Sequence, residues 1–102
     1  MVNLLQNKLD AIANLCARYG VLRLEAFGSA IREDFDPVES DLDLLVEFAP
    51  MEPYERVDAY FGLRDELRKL LKHEIDLVMT GAIKNSYIAQ DIERTKQLLY
   101  AA

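Results

Sequence analysis

Residues 24–48 read LEAFGSAIREDFDPVESDLDLLVEF, and the way this stretch divides sets the fold of the whole chain. Val21 to Phe27 alternates as a strand should, with Leu22, Leu24 and Ala26 on one face and Arg23, Glu25 and Phe27 on the other. Gly28 ends that strand, and residues 29–34 are compatible with a short helix. Asp41-Leu42-Asp43 then opens the apolar run Leu44-Leu45-Val46, so residues 41–48 read as a second strand. Residues two apart on a strand share a face, which puts Asp41 and Asp43 roughly 6–7 Å apart, while Leu42 and Leu44 point into a core. Two carboxylates side by side repel each other. A divalent cation relieves that repulsion, and oxygen ligands are what Mg²⁺ prefers. Gly28, without a Cβ, lets a phosphate approach the backbone. The amides that open the next helix, with the Ser29 hydroxyl, are suited to hold that phosphate.

The order is an apolar residue, Gly28, Ser29, a spacer of eleven residues from Ala30 to Ser40, then Asp-x-Asp in an apolar strand. This pattern resembles the minimal nucleotidyltransferases of the DNA polymerase beta superfamily, including the antitoxins of HEPN/MNT toxin–antitoxin pairs. The resemblance covers nearly the whole chain. It implies a polymerase-beta-like fold with three carboxylates, the third on the strand Glu74-Ile75-Asp76-Leu77-Val78. Asp41, Asp43 and Asp76 would be the catalytic and metal-binding residues, holding two Mg²⁺ ions. Gly28 and Ser29 would position the triphosphate tail of ATP. The implied reaction moves a nucleoside monophosphate from a nucleoside triphosphate to a hydroxyl. Stand-alone proteins of this family are commonly paired with a small all-helical toxin of the HEPN type, and some act as antitoxins by adenylylating a tyrosine on it. A domain this small has few residues left to enclose an acceptor, which also points to a second chain.

The alternation of helical and strand periods along the chain predicts a small α/β (α+β) domain. The expected architecture is a mixed sheet of about four strands with helices packed against it. A chain of 102 residues is expected to be one domain, residues 1–102, with roughly 60–65% of its unfolded surface buried. Hydrophobic residues make up 51% and charged residues 29%, an ordinary soluble balance. The single Cys16 excludes an internal disulfide and suits a cytoplasmic setting. No apolar run reaches bilayer length, and the N-terminal sequence has no signal-peptide pattern. The net charge of −6 argues against direct nucleic-acid binding by phosphate neutralisation, but leaves a metal-bridged nucleotide open.

Elsewhere, Leu5, Leu9, Ile12, Cys16 and Tyr19 recur at helical spacing, predicting an amphipathic helix over 3–19 with Gly20 as its stop. Cys16 lies on the buried stripe and reads as a core residue. Glu25 reads as a solvent-facing strand residue, the alternative being a place near the metal site. Arg32 stands one turn from the phosphate-binding end; its guanidinium suits a phosphate, and equally a surface pairing with Glu33 or Asp36. A second Asp-x-Asp, Asp34 to Asp36, lies beside Pro37 without an apolar strand and reads as a loop. Pro53 suits a first helical position, and Tyr54, Val57, Phe61, Leu67 and Leu70 or Leu71 predict a long helix to about Lys72. The tyrosines and Phe61 read as core residues. Gly62 costs that helix up to about 1 kcal/mol against Ala, which packing can offset. His73 reads as a solvated turn residue. Ala82 to Arg94 predicts a last helix, and Gln97 to Tyr100 an edge strand.

Two other functions fit parts of this pattern. The chain could be a binding module that neutralises its partner by contact alone, leaving Gly28, Ser29 and three Asp residues without a purpose. A glycosyltransferase using Asp-x-Asp for a sugar nucleotide needs more chain than 102 residues. A purely structural Asp-x-Asp leaves the Gly-Ser spacing unexplained.

Overall fold

The computed structural model describes residues 3–31 and 41–102. Among the described residues the elements are, in order, helices α1 (Asn3–Gln6) and α2 (Leu9–Arg18), strand β1 (Val21–Phe27), the 3-10 turn η1 (Gly28–Ile31), β2 (Leu42–Phe48), α3 (Pro53–Leu71), β3 (Ile75–Met79), α4 (Ser86–Thr95) and β4 (Gln97–Ala101). The sheet order is β3-β2-β1-β4. β1 runs antiparallel to both β2 and β4, and β2 runs parallel to β3. The mixed four-stranded sheet expected from the sequence is therefore present.

One face of the sheet carries the main core. Leu24 and Ala26 of β1, Leu42, Leu44 and Val46 of β2, and Leu77 of β3 meet Ile12 and Cys16 of α2 and Leu63, Leu67 and Leu71 of α3. Cys16 has no exposed surface, and burial pushes its thiol up to about 12, so it stays protonated and inert.

The predicted N-terminal helix is broken at Asn7 and Lys8 into α1 and α2. Asn is a weak helix former, yet Leu5, Ile12, Leu15 and Cys16 are all buried as the periodicity implies. Gly20 stops α2 with φ +71°. In β1 the alternation fails at its start: the pairing register slips between Val21 and Arg23. A bulge adds a residue and rotates the chain. Val21 is thereby buried and Leu22 is 40% exposed.

The face of α3 also differs from expectation. Leu63, Leu67 and Leu71 are buried, with Tyr60 packed beside them, whereas Tyr54, Val57 and Phe61 are exposed. A helix of 19 residues spans about 28 Å, far longer than the five-residue β3, at about 16 Å. Its first turns overhang the sheet, and its all-leucine C-terminal stripe decides the rotation. Gly62 does have a packing reason, because a Cβ there would meet the ring of Tyr19 at 2.6 Å. The Tyr60 hydroxyl donates to the Leu77 carbonyl on edge strand β3 at 2.6 Å, occupying part of an edge that would otherwise invite pairing.

The last helix starts at Ser86, later than predicted. Asn85 is its N-cap: its Oδ1 accepts from the amides of Tyr87 and Ile88 at 2.9 and 3.2 Å. Tyr87, expected in the core, is 84% exposed.

Candidate active site

The second face of the sheet carries the carboxylates. Asp43 sits opposite Phe27 in the β1–β2 pairing and opposite Asp76 in the β2–β3 pairing. Parallel neighbours in register project their side chains to one side. Asp43 and Asp76 therefore stand side by side at the N-terminal ends of adjacent strands. This alignment follows from the short link between α3 and β3, where Lys72 takes a left-handed conformation with φ 54°. The sequence that follows then enters the sheet with Ile75 and Leu77 inward. Asp41 lies just before β2.

Gly28 closes the arrangement on the β1 side. It has φ +55°, and a Cβ built on it would lie 2.5 Å from Asp43 Oδ2. Both the backbone conformation and the available space require glycine. Ser29 follows with two donors, and both reach the same carboxylate oxygen: the amide donates to Asp43 Oδ2 at 3.0 Å and the hydroxyl at 2.9 Å. The Ser29 hydroxyl also lies within reach of the Asp41 carbonyl. It has one proton, so these two bonds compete.

Crowding shows in the protonation of Asp76. Its carboxyl is raised above its ordinary 3.8. Partial desolvation is the largest cause, followed by repulsion from Asp43, a hydrogen-bonding contact with Asp43 that favours the protonated form, and the charge of Asp41. Among the described residues, no three carboxylate, imidazole or thiol groups form a ready-made metal cage. Asp43 is turned toward Ser29, and Asp41 stands at the strand head. The donor set is nevertheless one that a hard divalent cation fits: carboxylate oxygens, mutually repelling, one of them held above its usual pKa by partial desolvation and then by the others.

The residues expected at the site fall into three groups. Asp43, Asp76, Gly28 and Ser29 are brought together, and Asp41 borders them. Arg32 lies outside the described residues, as does the second Asp-x-Asp. Glu25, expected to face solvent, is 8% exposed and ion-paired with Lys96 at 3.2 Å.

The sequence matches the nucleotidyltransferase domain profile over residues 10–99. The chain belongs to the nucleotidyltransferase domain family. It is 41% identical over 83 residues to a Methanocaldococcus jannaschii protein provisionally named a protein adenylyltransferase, covering 81% of this chain and 79% of that protein. A solved structure described as a minimal nucleotidyltransferase is 30% identical, with TM-score 0.70, covering 94% of this chain and 95% of the other. An MNT antitoxin, solved with the tri-AMPylated HEPN toxin of Shewanella oneidensis, shares the fold at TM-score 0.63 and 20% identity. That alignment covers 96% of this chain and 73% of the antitoxin.

In this nucleotidyltransferase domain one part of the surroundings was not foreseen. Helix α4 crosses the carboxylate face, and its residues Ile88, Asp91, Ile92 and Thr95 face Phe27, Gly28, Ile31 and Asp43 across a cavity of about 370 Å³. The spacing of those four residues marks one helix face, but nothing in the sequence says which side of the sheet that face would cover. Lys96, directly after α4, fixes the answer by pairing with Glu25 of β1 and Glu93 of α4. No helix of the described residues is long and apolar enough to cross a membrane.

Proposed function

We propose that this nucleotidyltransferase domain transfers AMP from ATP, with Mg²⁺, to the hydroxyl of a tyrosine on a HEPN-type toxin, and thereby acts as an antitoxin. The observation that carries the reading is the convergence on Asp43: Asp76 beside it in register, and the Gly28–Ser29 turn donating to its carboxylate. In this reading Ser29 and the amides after Gly28 serve the phosphates and the carboxylates serve the cation, which supports phosphoryl transfer at one point. The partner is taken from the MNT antitoxin that shares this fold, and the adenylyl group from the archaeal relative's name.

Asp41, Asp43 and Asp76 would hold the two Mg²⁺ ions, whose chemistry is to neutralise the phosphates and acidify the attacking hydroxyl. Ser29 and the amides after Gly28 bind the triphosphate tail once Asp43 turns away and frees them. Asp76, beside Asp43 in register, takes the proton from the tyrosine hydroxyl. The tyrosine oxygen bonds to the α-phosphorus as the bond to the bridging oxygen breaks, and pyrophosphate leaves. Positioning and electrostatics carry most of the barrier reduction.

The test uses the protein, the helical product of its neighbouring gene, Mg²⁺ and ATP labelled at the α-phosphate. The expected result is label on a tyrosine of that partner, with mass added in units of AMP, and no label with Asp43→Ala. Neutralisation of the partner by Asp43→Ala at stoichiometric dose, without label, would establish contact inhibition instead. Label on a small molecule or an RNA end would keep the chemistry and discard the tyrosine.

A further inference from the structure

The carboxylates and the Gly28–Ser29 turn engage only the charged half of a nucleoside triphosphate. From the cavity beside them, we infer that the groove between α4 and the β1–η1 corner holds the nucleoside half, and that Asp91 selects a base bearing an amino group. This rests on the preceding reading, in which the triphosphate tail lies at Gly28 and Ser29. The groove, at about 370 Å³, falls within the size range of small-molecule sites. It opens directly onto Gly28 and Asp43, so a ligand anchored there by its phosphates enters it without a gap.

The lining has the wrong chemistry for phosphate and the right chemistry for a ribose and base. Phe27, Ile31, Ile88 and Ile92 supply apolar walls, and no cationic side chain is among the described lining residues. The α4 face from Ile88 to Thr95 runs about 10 Å, enough for ribose and base laid end to end. Ile88 borders the cavity yet is 53% exposed; a planar base against it would cover that surface. The polar residues of α4 in the groove are Asp91 and Thr95. An ionised carboxylate only accepts hydrogen bonds. One Asp91 oxygen already accepts from Arg94 at 2.6 Å, and acceptor capacity remains. Such a group welcomes the 6-amino group of adenine and repels the 6-oxo group of hypoxanthine.

The experiment is calorimetric titration of the full chain in Mg²⁺ with tripolyphosphate, ATP and ITP. Tripolyphosphate probes the phosphate site alone. The wild type is expected to bind ATP about tenfold tighter than tripolyphosphate. Ile88→Gln, a change at a half-exposed position, should lose that excess while keeping tripolyphosphate affinity, because it puts an amide in an apolar wall. Retained tripolyphosphate binding with an undiminished ATP excess in Ile88→Gln would overturn the groove assignment alone. Absence of tripolyphosphate binding in the wild type would overturn the phosphate site, and the groove with it. Wild-type preference for ATP over ITP should be about tenfold and fall toward parity in Asp91→Asn, whose amide can also donate. Equal wild-type affinity for ATP and ITP would overturn the role of Asp91.

Discussion

A Cβ on Gly28 would stand 2.5 Å from the Oδ2 of Asp43, so the turn and the carboxylate occupy space that only glycine leaves free. Gly28→Ala therefore faces two penalties. The left-handed conformation at φ +55° costs an L-residue about 1 kcal/mol, and the contact forces Asp43 aside. The variant should melt at a lower temperature, by about 1–3 kcal/mol of stability. It should also lose transfer activity out of proportion to that loss. Calorimetry and the labelling assay, run well below the melting point, separate the two effects.

Asp76 gives a pH dependence in chelator, with no divalent cation present. Its folded pKa is raised above 3.8, so its contribution to stability is fully present below that value and is lost as pH rises through the folded pKa. Asp76→Asn removes the ionisation. The melting temperature of the variant relative to wild type should climb between about pH 4 and neutrality. A difference that stays flat across that range would show that Asp76 is not strained by its neighbours.

The Glu25–Lys96 pair fastens the end of α4 to the sheet, with side chains only 11% and 15% exposed. Lys96→Met leaves Glu25 without its cation in a confined place and should cost about 2 kcal/mol. Adding Glu25→Leu should recover most of it, since an apolar pair replaces an ionic one. Hydrogen bonding to Glu93, then the Glu25 pairing, raises Lys96 above 10.5 against the lowering effect of desolvation. That contribution is complete below pH 10.5 and fades as pH rises through the folded value, so wild type and Lys96→Met should converge in strong alkali. Denaturant melts at neutral and alkaline pH would measure this.

Reading the sequence succeeded where one local rule determined the outcome. Strand alternation put Asp43 on the face opposite Leu42 and Leu44, and Asp76 opposite Ile75 and Leu77, as observed in their burial. The left-handed Gly20 ended its helix as expected. It failed where two local patterns competed or where the deciding contact was distant. Tyr54, Val57 and Phe61 form as good a helical stripe as Tyr60, Leu63, Leu67 and Leu71, and only the limited length of the sheet below chooses between them. Glu25 looked like a solvent residue because its partner, Lys96, lies at the far end of the chain. The Leu22 bulge depends on two strands pairing out of step, and one strand alone carries no trace of that.

The donors of Ser29 have two claimants. Its amide and hydroxyl both serve Asp43 Oδ2, and the same donors are assigned to the triphosphate. The two uses exclude each other, so nucleotide binding must carry the cost of parting Ser29 from Asp43. A cation that draws the Asp43 carboxylate away lowers this cost, and a nucleotide that takes over Ser29 frees Asp43 for the cation. Mg²⁺ and ATP should then bind with positive coupling, of about 1–3 kcal/mol, beyond the complex they form with each other in solution. A ligand that binds only the folded state raises the melting temperature, so the combination should exceed the sum of the separate shifts. In Asp43→Asn the repelling charge and the strong acceptor are both gone. ATP alone should then stabilise more than it does in wild type, and added Mg²⁺ should contribute little. Ser29→Ala should weaken ATP binding less than Asp43→Asn weakens the Mg²⁺ response, because backbone amides remain to hold the phosphate. Thermal-shift titrations of the three proteins over both ligands measure this. Strictly additive shifts in wild type would mean that Ser29 is not shared between Asp43 and the nucleotide.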